Sequence, residues 1–166
     1  MALFEFETEY GKFPDEDTIG KVASDTGTKM NLGRKSSNDF FRQLMASGIT
    51  DWEGMFYANL KRGPGPDEIT TGHRALEKGE CGFTYLRGAK STDHPMRPIV
   101  VTPMISGTKP FDRKPFDGYA VVLRLDNSVI SLPINRDGHI MVDGRNLMDP
   151  GHPIWEGHPP VIAWPE

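Results

Sequence analysis

Residues 119–134 read YAVVLRLDNSVISLPI. Two β-branched, apolar runs, 120–125 and 129–132, flank Asp126-Asn127-Ser128, whose side chains bond back to their own backbone and tolerate tight turns. The spacing predicts a β-hairpin. Alternation places Val121, Leu123 and Leu125 on one face of the first strand, with Ala120, Val122 and Arg124 on the other, so one face is fully apolar and the other can meet solvent. The apolar face is the expected seat of the first helix and of a helix over 40–45. Pro133 ends the second strand, because proline has no N–H to donate to a ladder.

Working outward, the flanking segments carry the same texture. Phe83 and Tyr85 alternate with Gly82 and Thr84, Pro98 to Met104 centres on Ile99, Val100 and Val101, and a turn at Asp137-Gly138 precedes 140–142. Upstream, the period changes. Leu3, Phe6 and Tyr10 fall on one stripe of a short helix stopped by Gly11, and Pro14 follows where a helix cannot continue. The run 15–34 is polar and glycine-punctuated and reads as a long loop, with Asp15, Glu16 and Asp17 as a solvated turn. Ser36 or Ser37 caps a second helix carrying Phe40, Phe41, Leu44 and Met45 before Gly48. Thr50 with Glu53 forms a capping box for a shorter third helix bearing Trp52, Met55 and Phe56, and a turn of helix over 73–78 ends at Gly79.

Helices first and an antiparallel sheet second define an α+β class, with the helices laid on one face of the sheet. One domain is expected over 1–166: a helix stub (1–11), a loop and helical region (12–80), a sheet region (81–148) and a Pro-rich strap (149–166) that packs Trp155 and Trp164 on the body.

Composition narrows the function classes. The chain of 166 residues has 18 Gly, 14 Pro and a net charge of −4, so it is loop-rich, and its scattered Lys and Arg exclude a basic nucleic-acid face. A single cysteine, Cys81, permits no intrachain disulfide and reads as a small buried hydrophobe. No apolar run is long enough to span a bilayer and no signal peptide opens the chain. Ala2 enters its helix without an N-cap residue, as a helix joined midway would.

The chemistry-bearing residues form no familiar template. His73, His94, His139, His152 and His158 include no i, i+4 helical pair and no HExxH. No G-x-S-x-G, Walker loop or GxGxxG follows a strand, so no catalytic or cofactor-binding residue is assigned. Asp137, Asp143 and Asp149, in glycine-rich turns after the hairpin, are calcium candidates, since hard cations take carboxylate and turn-carbonyl oxygens. The plainer role of each is that of a turn aspartate.

The opening EYGKFP carries a further signal. Tyr10, Gly11, Phe13 and Pro14 resemble the close of the long N-terminal helix in type IV pilin-like proteins, particularly type II secretion pseudopilins. The phrase DGYAVVLRLDNSV, with its Asp-Asn-Ser-Val turn, is similar to the hairpin of pseudopilin-like proteins of planctomycete and verrucomicrobial genomes. The resemblance implies a pilin-like head and a non-catalytic structural subunit of a secretion or pilus-like filament. It also implies a cell-envelope location, an upstream apolar segment of about twenty residues crossing the inner membrane, and partners that are other protein subunits. Calcium is the one cofactor it implies, in a C-terminal loop. The alternative class is a periplasmic or cell-surface binding module that meets a polymer or protein through the 15–34 loop and the Trp155 strap.

Overall fold

The computed structural model describes residues 2–60 and 63–166. It is an α+β chain that divides into two compact units, Met1–Gly82 with Pro165–Glu166, and Phe83–Trp164.

In the first unit, α1 (Ala2–Tyr10) buries Leu3, Phe6 and Tyr10, the stripe read from the sequence, with the Phe6 and Tyr10 rings stacked at 4.5 Å. Gly11 stops it at φ +81°, a conformation that glycine adopts without a Cβ penalty. The segment expected to be loop contains α2 (Ile19–Thr26), ended by Gly27 in the left-handed conformation. Val22 is its one buried residue, so α2 shows no apolar stripe in the sequence. Lys21 supports it by pairing with Asp25 at 2.6 Å and lying 4.8 Å over the Tyr10 ring.

Helix α3 (Ser37–Ala46) starts where the sequence placed it. The Asp39 N–H donates to Ser36 Oγ at 3.1 Å, and the Ser36 N–H donates to Asp39 Oδ2 at 3.1 Å, a complete capping box. The third helix is shorter than expected, a 3₁₀ turn over Glu53–Phe56 with Trp52 at its N-cap and no side-chain cap. Glu53 does not close a box with Thr50; it turns inward and accepts the Leu76 N–H at 2.7 Å. The expected helical turn near residue 73 is a 3₁₀ turn over Gly72–Arg74.

Polar side chains of α3 bind the backbone of the 75–77 segment. Arg42 donates from Nε to the Ala75 carbonyl and from Nη2 to the Leu76 carbonyl, both at 2.8 Å, while its Nη1 pairs with Asp39 at 2.8 Å. Asn38 donates to the carbonyls of Leu76 and Glu77 at 3.1 and 2.9 Å. Leu76, at φ +50°, has no helix or strand to satisfy its backbone, and these side chains supply the partners.

The second unit is built on a five-stranded sheet in the order β4-β3-β2-β1-β7, antiparallel throughout. Its strands are β1 (Thr84–Arg87), β2 (Pro98–Thr102), β3 (Tyr119–Arg124), β4 (Val129–Pro133) and β7 (Val161–Ala163); β5 (Met141–Val142) and β6 (Arg145–Asn146) form a separate small hairpin. The hairpin of residues 119–134 is β3 and β4, in register from Tyr119 opposite Pro133 to Leu123 opposite Val129. At its turn, Asn127 takes φ +64° and Asp126 Oδ1 accepts from the Ser128 N–H at 2.9 Å and its hydroxyl at 2.5 Å. Those bonds hold the Asp126 carboxyl below its ordinary pKa.

The facing of β3 differs from the expectation. Ala120 and Val122 are the fully buried residues, whereas Val121 and Leu123 are half-buried. The reason lies in what covers them: Ala120 and Val122 join a cluster with Leu86, Val101, Ile134, Ile140, Leu147 and Trp155, drawn from this same unit. The Pro-rich tail is more than a strap, because its β7 pairs with β1, Leu86 opposite Ile162.

Candidate functional site

The three calcium candidates sit in the turns the sequence assigned them, all exposed. The Asp137 N–H donates to Asn135 Oδ1 at 2.9 Å. Asp143, at φ +50°, makes the bend between β5 and β6, and Asp149 Oδ1 accepts the Gly151 N–H at 2.9 Å. The structure does not bring the three together as a carboxylate cluster.

Asp143 does line a cleft of 190 Å³ with His94, His152 and Glu156. That volume is below the roughly 300–1,000 Å³ usual for small-molecule sites. His152 is buried, and both ring nitrogens are occupied: Nδ1 accepts the Ile154 N–H at 3.1 Å, which leaves Nε2 protonated to donate to the Val142 carbonyl at 3.1 Å. It therefore orders the turn before Trp155 and offers no free lone pair to a metal. His94 Nδ1 likewise accepts the Met96 N–H at 3.2 Å. Cys81 is buried 3.6 Å from the Ser37 hydroxyl, as a packed thiol.

A second constellation was not visible in the sequence. One oxygen from each of Glu53, Asp67 and Glu80 lies within 4.8 Å of the other two, the one such group of three among the described residues. Each arrives by a different route. Glu53 opens the 3₁₀ turn after Trp52, Asp67 lies in the loop that begins at Gly63, and Glu80 follows Gly79. Gly63 and Gly79 make this convergence feasible, since a Cβ on Gly63 would come within 2.7 Å of the Gly79 Cα.

Glu53 is 0% and Glu80 2% exposed. Glu53 Oε1 accepts the Leu76 N–H, whereas Glu53 Oε2 is buried and has no hydrogen-bond partner. Glu80 Oε2 accepts the Glu77 N–H. Asp67 Oδ1 accepts the Ile69 N–H at 2.9 Å, and its other oxygen pairs with Arg74. Burial raises both glutamate pKa values from their ordinary 4.5. The backbone N–H groups of Leu76 and, to a smaller extent, Glu68 oppose this at Glu53, as that of Glu77 does at Glu80. The negative charges of Asp67 and Glu68 add to the rise at Glu53, and those of Glu53, Asp67 and Glu77 add to it at Glu80.

Comparison with protein-family models, with curated proteins and with solved structures finds no match to this chain. The class of protein is therefore defined by its α+β fold alone.

Proposed function

We propose that this chain is the globular head of a non-catalytic, pseudopilin-like structural subunit, belonging to a type II secretion or type IV pilus-like assembly. In this proposal α1 continues upstream into an apolar helix anchored in the inner membrane, and the head faces the periplasm. No described helix is itself long and apolar enough to cross a membrane.

The observation that carries the proposal is the way α1 ends. Tyr10 is buried, Gly11 stops the helix at φ +81°, and Phe13 and Pro14 are buried in the turn that follows. The Phe13 ring meets Phe4 edge-on at 5.4 Å, tying the turn to the helix. A helix so fixed at its C-terminal end can transmit the position of an upstream segment to the head, as a filament subunit requires. The D-N-S-V turn of β3 and β4 adds the second motif of the resemblance.

The binding-module alternative draws on the 15–34 loop and the Trp155 strap, and the tail tryptophans bear on the second of these. Trp155 is fully buried, and Trp164 is half-buried with its indole N–H donating to the Thr108 carbonyl at 2.9 Å, so the tail offers no aromatic contact surface of that kind.

A cysteine at the exposed Glu9 of α1 tests the proposal in the full-length chain, expressed in its own cells. Oxidative cross-linking is expected to give covalent species containing more than one subunit, all in the membrane fraction. A monomer found wholly in the soluble fraction would overturn it.

A further inference from the structure

We infer that Glu53, Asp67 and Glu80 form a binding site for one divalent hard cation, best matched to calcium. The site is separate from the turn aspartates 137, 143 and 149, and it stands whether or not the chain is a filament subunit.

Two independent observations carry the inference. The first is geometric: three oxygens spaced evenly around one ion at the calcium distance of about 2.3–2.6 Å stand about 4.0–4.5 Å apart, so oxygens already within 4.8 Å of one another need to close by less than about 1 Å. Magnesium binds at about 2.0–2.1 Å and would require the three oxygens to close further, to about 3.5–3.6 Å. The second is the buried Glu53 Oε2, to which no donor comes within hydrogen-bond geometry although its residue is 0% exposed, the Glu68 N–H acting on the carboxyl only weakly. A buried acceptor left unmade costs about 1–3 kcal/mol, more when charged, so a fixed orphan in this position calls for a water or an ion.

The surrounding charge favours the ion. Glu68 and Glu77 stand close enough to act on the two buried glutamates. Against these carboxylates the described residues set Arg74, which pairs with Asp67 and reaches Glu77 at 3.4 Å, leaving Glu53 and Glu80 without a cation of their own. A dication held by Glu53 Oε2, Glu80 and Asp67, with water filling its remaining positions, would neutralise both buried groups. It would also join three chain segments already tied by the Leu76 N–H to Glu53, the Arg74–Asp67 pair and the close approach of Gly63 to Gly79.

Titration calorimetry with calcium chloride on chelator-treated protein at neutral pH, paired with thermal melting, tests this. One calcium per chain and a rise in melting temperature are expected. Asp67→Asn, at an exposed position, should weaken binding by about tenfold or more. Glu53→Gln should abolish it, with circular dichroism confirming the fold, and Asp143→Asn should leave it unchanged. Absence of both heat and melting shift in the parent protein at millimolar calcium would overturn the inference. So would binding that survives Asp67→Asn and Glu53→Gln but is lost on Asp143→Asn.

Discussion

Glu53 takes the Leu76 N–H with one carboxylate oxygen and keeps the other buried and unpaired. Leu76 in turn gives its carbonyl to Arg42 and Asn38, so one residue with positive φ is held from both sides by side chains of distant segments. The first unit is fastened by such side-chain to backbone bonds as well as by its apolar contacts. Substitution can test each fastening separately.

The carboxylates give a pH dependence with a definite sign. Glu53 and Glu80 have folded pKa values above the unfolded 4.5, so their contribution to stability is present below that value and is lost as pH rises through the folded values. In the presence of chelator, Glu53→Gln/Glu80→Gln should lose less stability than the parent as pH rises above the ordinary 4.5. Urea unfolding at a series of pH values measures this. Added calcium should restore the parent at the upper end and leave the double variant unchanged.

Arg42 is buried and makes four hydrogen bonds, to Ala75, Leu76, Asn31 and Asp39. Arg42→Ala leaves Asp39 as an uncompensated buried charge and two buried carbonyls short of a donor, and should cost about 3–5 kcal/mol in chemical denaturation. Arg42→Lys keeps the charge but cannot reproduce the fork, and should recover part of that loss.

The tryptophans should separate sharply. Trp155 is 0% exposed, donates its indole N–H to the Leu147 carbonyl at 2.9 Å and lies under the Arg97 guanidinium at 5.4 Å. Trp155→Ala should destabilise by about 3–5 kcal/mol. Trp52 is 57% exposed, and Trp52→Ala should stay within about 0.5 kcal/mol, read from denaturation midpoints.

Glycine geometry around the carboxylates predicts a graded pair. Gly79, at φ +90°, would carry a Cβ 2.8 Å from Pro64 Cδ, whereas a Cβ on Gly27, at φ +60°, meets nothing within 4 Å. Gly27→Ala should cost about 1–2 kcal/mol for the left-handed backbone. Gly79→Ala should cost more, and it should weaken calcium binding because Glu80 is the next residue.

The legible parts of the fold are those fixed by local chemistry. The β3–β4 hairpin and α3 were readable because Asp126-Asn127-Ser128 and the Ser36 cap act within a few residues of the element they define. Helix α2 was not, since burial of Val22 alone creates no periodic stripe and Gly20 interrupts the pattern. The facing of β3 depended on which segment covers it, which alternation does not specify. The carboxylate site was hidden for the same reason: Glu53 also fits a capping position after Thr50, and its partners Asp67 and Glu80 come from separate loops at no ligand-motif spacing. The nearest signal was the pair Gly63 and Gly79, whose close approach brings those loops together.

The role as a filament subunit is tested most directly by sequencing the transcript upstream of the codon for Met1. An in-frame run of about twenty apolar residues is expected, preceded by a processing glycine and carrying Glu at its fifth position. A stop codon in frame directly upstream, with translation starting at Met1, would contradict it.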